Sequence, residues 1–246
     1  MKKEQRQKEI LDALQLEATL SPRELSQRLY LSLSTVYRDI RDLESQKLLL
    51  RTADGKVAAP GAQRYIPAPH KRNINKSAKI AIAEAAARLI PPGATIHLDS
   101  SSTTSYMIDF LSGRQDITVL TPSIYIAKLL IAAHIPAYFS GGKMMENSQV
   151  LGGRIHNLLL ESMHVDYMFF SPHAISEKGI IFDSAENSSR RNALTHADYS
   201  VCLCDKSKFG GTSLFYAATV RDMDYLITDA TLPETFAKPR IACITV

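Results

Sequence analysis

Cysteine is scarce in this chain of 246 residues, and Cys202, Cys204 and Cys243 exclude a disulfide framework by number and a metal knuckle by spacing. A reducing compartment is expected. Cys202 and Cys204, two apart in one apolar run, are expected as buried thiols on one strand face rather than a redox pair. No run approaches the roughly 18 apolar residues of a membrane span, and the first residues are charged and polar where a signal peptide carries an apolar stretch. A soluble, cytoplasmic protein is expected. The glycines match neither a dinucleotide fingerprint nor a phosphate-binding P-loop. His70, His97, His134, His156, His164 and His196 are scattered without ligand spacing, so neither a metal nor another cofactor is expected.

What is present is unevenly distributed. The net charge of +4 resolves into fourteen Lys and Arg against nine Asp and Glu over residues 1–72, and fifteen against sixteen over 73–246. A basic front end suggests an anionic partner, and a charge-balanced globule follows it. At roughly 100 to 200 residues per domain, two domains are expected.

In the front piece, Ile10, Leu11, Leu14 and Leu16 fall near helical spacing between Lys3 and Leu16. Ser21, Pro22 and Glu24 supply a cap, a proline at the first helical position and a carboxylate three residues after the cap. Leu25 and Leu29 face inward from this helix. Ser32 or Ser34 caps a further helix that turns Val36, Ile40 and Leu43 inward, giving a helix-turn-helix. Its outward face carries Ser34, Thr35, Tyr37, Arg38 and Arg41, with Ser32 nearby, in the half that a recognition helix lays against base edges. Hydroxyls and a helix N-terminus suit phosphates, and an arginine fork suits the paired acceptors of guanine. Residues 47–57 read as two strands about a turn at Asp54-Gly55, a wing with Arg51 and Lys56 placed for backbone phosphates. Together with Ser21 these are the candidate DNA-binding residues. Residues 1–58 form the DNA-binding domain, 59–75 a proline-marked linker, and 76–246 a second domain.

That second domain alternates helices with short apolar runs, the pattern of parallel strands with crossover helices. Helices are expected at 76–89, 103–112, 123–133, 149–161 and near 186–196, and strands at 94–98, 117–120, 136–139, 166–170, 199–204 and 225–228. In such an open, mostly parallel α/β sheet, ligands bind beyond the carboxyl ends of the strands. Polar residues concentrate there: Asp99-Ser100-Ser101-Ser102-Thr103-Thr104 at a helix start, Thr121 and Ser123, Ser140-Gly141-Gly142-Lys143, and Asp205 to Gly210 with Lys208. Hydroxyls, helix-start amides and a lysine suit a phosphate or carboxylate. His173 is placed to donate to a ligand oxygen or to be satisfied by backbone, and Glu186 stands near a helix start with Arg190 and Arg191 beside it.

Two sets of motifs carry a resemblance to a known family. Ser32 to Ile40, followed by Asp42-Leu43-Glu44, is similar to the DNA-binding signature of DeoR-family transcriptional regulators. Leu98-Asp99 with its Ser/Thr loop, Gly141-Gly142, Glu186, Asp205-x-Ser-Lys-Phe-Gly210 and Ile227-Thr-Asp229 follow in that family's order. The resemblance implies a sensor domain related to sugar-phosphate isomerases, and repression of a carbohydrate operon relieved by a phosphorylated sugar or polyol. It also places Ser102, Thr103 and Thr104 at the phosphate with Lys208 nearby. Partners implied are double-stranded operator DNA and a second copy of the chain, as a dimer or tetramer. The family pattern has glycine at Ser101, asparagine at Pro122 and arginine at Tyr37. It has Gly-x-Asp-Gly-Ile where Ser171-Pro-His-Ala-Ile175 stands, and the wing turn lacks the usual His-Gly-Gly. The alternative is an isomerase-like enzyme carrying a DNA-binding module, with Asp99, Glu186 or Asp205 as the base.

Overall fold

The computed structural model describes residues 3–16, 20–46, 48–51, 55–58, 68–144, 150–182, 187–210, 216–231, 236 and 241–246. The chain divides into two compact units, Met1–Tyr65 and Ile66–Val246.

The first unit holds α1 (Lys3–Leu16), α2 (Pro22–Arg28), α3 (Leu33–Ser45), β1 (Leu50–Arg51) and β2 (Val57–Ala58). Ser21 starts α2 through a reciprocal box: its hydroxyl accepts from Glu24 N at 3.2 Å, and its own N–H donates to the Glu24 carboxylate at 2.7 Å. Pro22 follows at the first helical position, where its missing N–H costs nothing. Of the two serines open as caps of α3, Ser32 takes the role by accepting from Thr35 N at 3.2 Å. Ile10, Leu14, Leu25, Val36, Ile40 and Leu43 then close on Leu49 and Val57, so the antiparallel wing completes a small core. Leu20 and Val57 exchange both backbone hydrogen bonds, tying the entry of α2 to the wing. Within the wing turn, Asp54 lies outside the described residues.

The second unit contains α4 (Ala68–Lys71), α5 (Lys76–Ala87), β3 (Thr95–Leu98), α6 (Thr104–Leu111), β4 (Thr118–Thr121), α7 (Ile124–Ala132) and β5 (Ala137–Phe139). It continues with β6 (Lys143–Met144), β7 (Leu151–Gly152), α8 (Arg154–Ser162), β8 (Val165–Phe170), β9 (Ala174–Ser176), β10 (Gly179–Ile181), α9 (Asn187–His196), β11 (Ala197–Leu203), β12 (Tyr225–Thr228) and β13 (Ala242–Thr245). Seven strands form a wholly parallel sheet in the order β13-β12-β11-β8-β3-β4-β5. From β3 the chain steps outward to β4 and β5, and from β8 it steps the other way to β11 and β12. Right-handed crossovers therefore put α6 and α7 on one face and α9 on the other.

Each central strand is consequently buried on both sides. Val201, Leu203 and Phe169 pack under α5, α6 and α7, whereas Cys202, Cys204, Met168 and Phe170 pack against α8 and α9. The paired thiols are core residues, and burial pushes the Cys202 thiol well above its ordinary pKa.

Three expectations change. The helix expected over 149–161 begins only at Arg154, because 151–152 is strand β7 and Gly153 takes φ +86, a conformation that stops a helix from extending backwards. Residues 68–75, expected as linker, lie in the second unit, where α4 forms and the Arg72 guanidinium stacks on Tyr106 at 4.2 Å from the ring centroid. Strand β13 and the β9–β10 hairpin were not anticipated, being short and without strong flanking signals. Among the described residues, no helix is long and apolar enough to cross a membrane.

Candidate functional site

On the first unit, the candidate DNA-contacting residues share the outward side of α3. Ser34, Tyr37, Arg38 and Arg41 are exposed and Thr35 is half-exposed, while Val36, Ile40 and Leu43 are buried. The hydroxyls of Ser32, Ser34 and Thr35 cluster at the helix start, with Ser32 Oγ 3.0 Å from Ser34 Oγ and 2.8 Å from Thr35 Oγ1. Ser21 and Ser32 thus serve first as caps. On the wing, exposed Arg51 pairs with Glu44 at 3.2 Å, and Lys56 is half-buried near Glu24.

Two features of this unit were not legible in its sequence. Asp39, within the signature itself, is buried and receives Arg6 of α1 through Nε at 2.8 Å and Nη2 at 3.1 Å. This two-pronged pair fixes α3 against α1, and so sets the direction in which Arg38 and Arg41 leave the helix. Tyr30, in the turn between α2 and α3, has a left-handed backbone at φ 52 and a side chain 95% exposed.

On the second unit, the chain changes direction between β3 and β8, and the polar loops at these two strand ends meet. Asp99 is the brace. Its Oδ1 accepts from Ser101 N and Thr104 Oγ1, both at 2.9 Å, and its Oδ2 accepts from Ser171 N at 3.1 Å across the switch point. A buried carboxylate so occupied is a structural acceptor rather than a base waiting for a substrate proton. Ser101 Oγ accepts from Thr104 N at 3.1 Å, and Ser100, Ser102 and Thr103 are buried behind it. Ser101 thus caps the first turn of α6, where Ser105 N and Tyr106 N already donate to Ser101 O and Thr103 O at 3.3 and 3.1 Å.

Ser171 is the meeting point. Its hydroxyl donates to Leu203 O at 2.6 Å and accepts from Lys208 Nζ at 2.5 Å, with Thr103 Oγ1 at 3.3 Å. Lys208 also donates to Pro172 O at 2.9 Å. An ammonium and two hydroxyls therefore converge at the ends of β3, β8 and β11. Asp205 shapes the loop that presents Lys208, its side chain accepting from Ser207 N at 3.1 Å and from Asn75 Nδ2 at 3.0 Å.

The remaining expected residues are placed differently. Thr121 donates to Leu98 O at 2.9 Å and so braces the end of β3, whereas Ser123 caps α7 by accepting from Ile126 N at 3.3 Å. Gly141 and Gly142 follow β5, two strands away from β3. At Gly142 a Cβ would come within 2.5 Å of the Gly152 carbonyl, which makes this pair a close backbone crossing. His173 has an exposed side chain, and its N–H donates to Ile181 O at 2.8 Å. Glu186 lies outside the described residues. At the opposite end of the sheet, exposed His164 sits 3.3 Å from both Asp166 and Asp198, a trio assembled by adjacent strands rather than by sequence spacing.

Sequence reading missed Ser171, Asn75 and Lys79. Lys79 is buried, donates to Lys71 O at 2.7 Å, and has its pKa held down to about 8 by burial, then by Lys208 and Lys71 against the opposing pull of Asp205. In Lys76-Ser-Ala-Lys79 it reads as the solvated side of a helix, and only the fold reveals the cost of its position.

Comparison with known proteins gives matches over both units. A model of the DeoR C-terminal sensor domain matches residues 74–230, and a winged helix-turn-helix DNA-binding model matches residues 3–49. The HTH-type transcriptional repressor GlcR of Bacillus subtilis is 31% identical over 231 residues, covering 93% of this chain and 89% of that one. The L-fucose operon activator of Haemophilus influenzae is 30% identical over 218 residues, covering 87% of each. Among solved structures, ribose 5-phosphate isomerase A of Methanocaldococcus jannaschii aligns over 55% of each chain with 19% identity and a TM-score of 0.42.

Proposed function

The chain belongs to the DeoR family of transcriptional regulators, and from that premise we propose that it represses a sugar or carbohydrate operon under control of a phosphorylated sugar or polyol. It is a DNA-binding regulator rather than an enzyme, as its relatives are regulators along nearly their whole length. The observation that carries the effector reading is the convergence of Lys208, Ser171 and Thr103 beside the start of α6. A phosphate monoester brings two negative charges and several acceptor oxygens, which an ammonium and neighbouring hydroxyls suit. A relative named for an L-fucose operon supports a sugar as the rest of the molecule.

On the DNA side, Arg38 and Arg41 contact base edges and Tyr37 and Thr35 position α3, while Arg51 and Lys56 hold backbone phosphates. One winged helix buries too little surface for tight operator binding, so the active form is a dimer or tetramer on repeated half-sites.

A thermal-shift screen of the full chain against pentose, hexose and polyol monophosphates tests the effector class. A ligand that binds only the folded state adds about 2.7 kcal/mol of stability at a hundredfold excess over its Kd. Selective stabilisation by phosphorylated members over the free sugars is expected; equal stabilisation by free sugars would move the site away from Lys208.

A further inference from the structure

Asn75 occupies the position that starts α5, yet it does not cap that helix. Its backbone is left-handed at φ 52, and its side chain makes no bond to the first turn. Asparagine at a helix start ordinarily stabilises the helix through such a bond. A left-handed backbone strains non-glycine residues, a strain asparagine bears better than most. The side chain is spent elsewhere: Nδ2 donates to Asp205 Oδ1 and to Ser207 Oγ, both at 3.0 Å.

The preceding residues are held from a second side. Tyr106, in the first turn of α6 and three residues beyond Thr103, donates to Arg72 O at 3.1 Å, and the Arg72 guanidinium lies over its ring and bonds to Asp109 at 2.8 Å. Lys79 then closes the segment. Its buried ammonium donates to Lys71 O, the same carbonyl that accepts Ile74 N at 3.1 Å. Residues 71–75 therefore rest on both loops that build the effector site, the start of α6 and the 205–208 turn. The same residues lead back along the chain to the DNA-binding unit.

We propose that Asn75 and Lys79 form a latch that reports occupancy of the Ser171–Lys208 site to the segment joining the sensor to the DNA-binding unit. An anion that draws Lys208 away from Ser171 rotates the 205–208 turn, breaks the two Asn75 bonds and releases Lys71–Asn75. This regulation rests on the effector reading above.

The experiment uses the full-length chain, a DNA duplex it selects from a random-sequence pool, and a panel of pentose and hexose monophosphates as probes. Asn75→Gly keeps the left-handed backbone while removing both side-chain bonds, and Lys79→Met removes the buried charge while keeping the side chain's bulk. In the unaltered protein, a bound probe should change duplex affinity within the roughly 5- to 150-fold range of allosteric coupling. It should also speed amide exchange at Ile74 and Lys79 by about tenfold or more, the sign of local opening. Both variants should bind the probe within about threefold of the unaltered chain and yet shift duplex affinity by less than about twofold, the coupling having been lost. Retention of the full shift in both variants would overturn the latch, as would unchanged exchange at Ile74 and Lys79 in the probe-bound protein. A chain that binds no member of the panel would instead remove the effector reading, and the latch with it.

Discussion

The two halves of this regulator hold their functional groups in opposite ways. On α3 the side chains proposed to contact DNA stand outside a core made by other residues of the same helix, so Arg38 and Arg41 are exposed while Val36 and Ile40 carry the packing. In the sensor the functional groups are themselves buried and bonded to one another, as with Asp99, Thr103, Ser171 and Thr104. Output is thus separable from stability, whereas sensing is not. A site that can change its hydrogen bonds on ligand arrival must first have hydrogen bonds to change.

The largest expected effect breaks that comparison at its sensor end. Asp99→Ala removes the acceptor for two backbone amides and one hydroxyl in a buried site, and should cost about 3–5 kcal/mol of stability in denaturant unfolding, with sensing lost alongside. Unaltered stability with selective loss of effector binding would make Asp99 a ligand contact instead of a brace. At the output end, Arg38→Ala should leave the unfolding curve in place while weakening specific binding by about 1–3 kcal/mol and relaxing preference at one base pair. The same affinity for selected and random duplexes before and after the change would remove Arg38 from the recognition set. Ser32→Ala falls between the two regimes, since that hydroxyl caps α3 on the DNA-facing side; a stability loss of about 1 kcal/mol is expected from the cap alone.

A smaller effect sharpens the contrast through pH. Lys79 has a folded pKa of about 8 against 10.5 for an ordinary lysine, so the unfolded chain binds more protons between those values. Stability should therefore rise as pH increases through that window, provided other groups are matched by comparison with Lys79→Met, in which the rise should be absent. An identical profile in the two proteins would mean that Lys79 is not a buried ammonium.

The DNA-binding unit was legible because its signals are local. Ser21, Pro22 and Glu24 specify a helix start within four residues, and the inward spacing of Val36, Ile40 and Leu43 specifies the face left for DNA. The parallel sheet was legible for a related reason: strands buried on both sides read as continuous apolar runs, as in Val201 to Cys204. The sensor's wiring was not. Asn75 and Asp205 are 130 residues apart, and nothing near Asn75 in the sequence tells its side chain to leave its own helix. Ser171 looked like a departure from a family pattern, yet the fold makes its hydroxyl the contact between Lys208 and the end of β11. Arg6 and Asp39 likewise meet across 33 residues, a pairing that periodicity places on facing helices without identifying.

The most direct test of a metabolite-controlled DNA switch is the affinity of the full chain for its selected duplex, measured at fixed salt with and without the sugar monophosphate that stabilises it most. A change of roughly fivefold or more on the selected duplex, and a smaller one on scrambled DNA at the same salt, is the predicted result. Equal affinities in the presence and absence of a bound sugar phosphate would contradict the account.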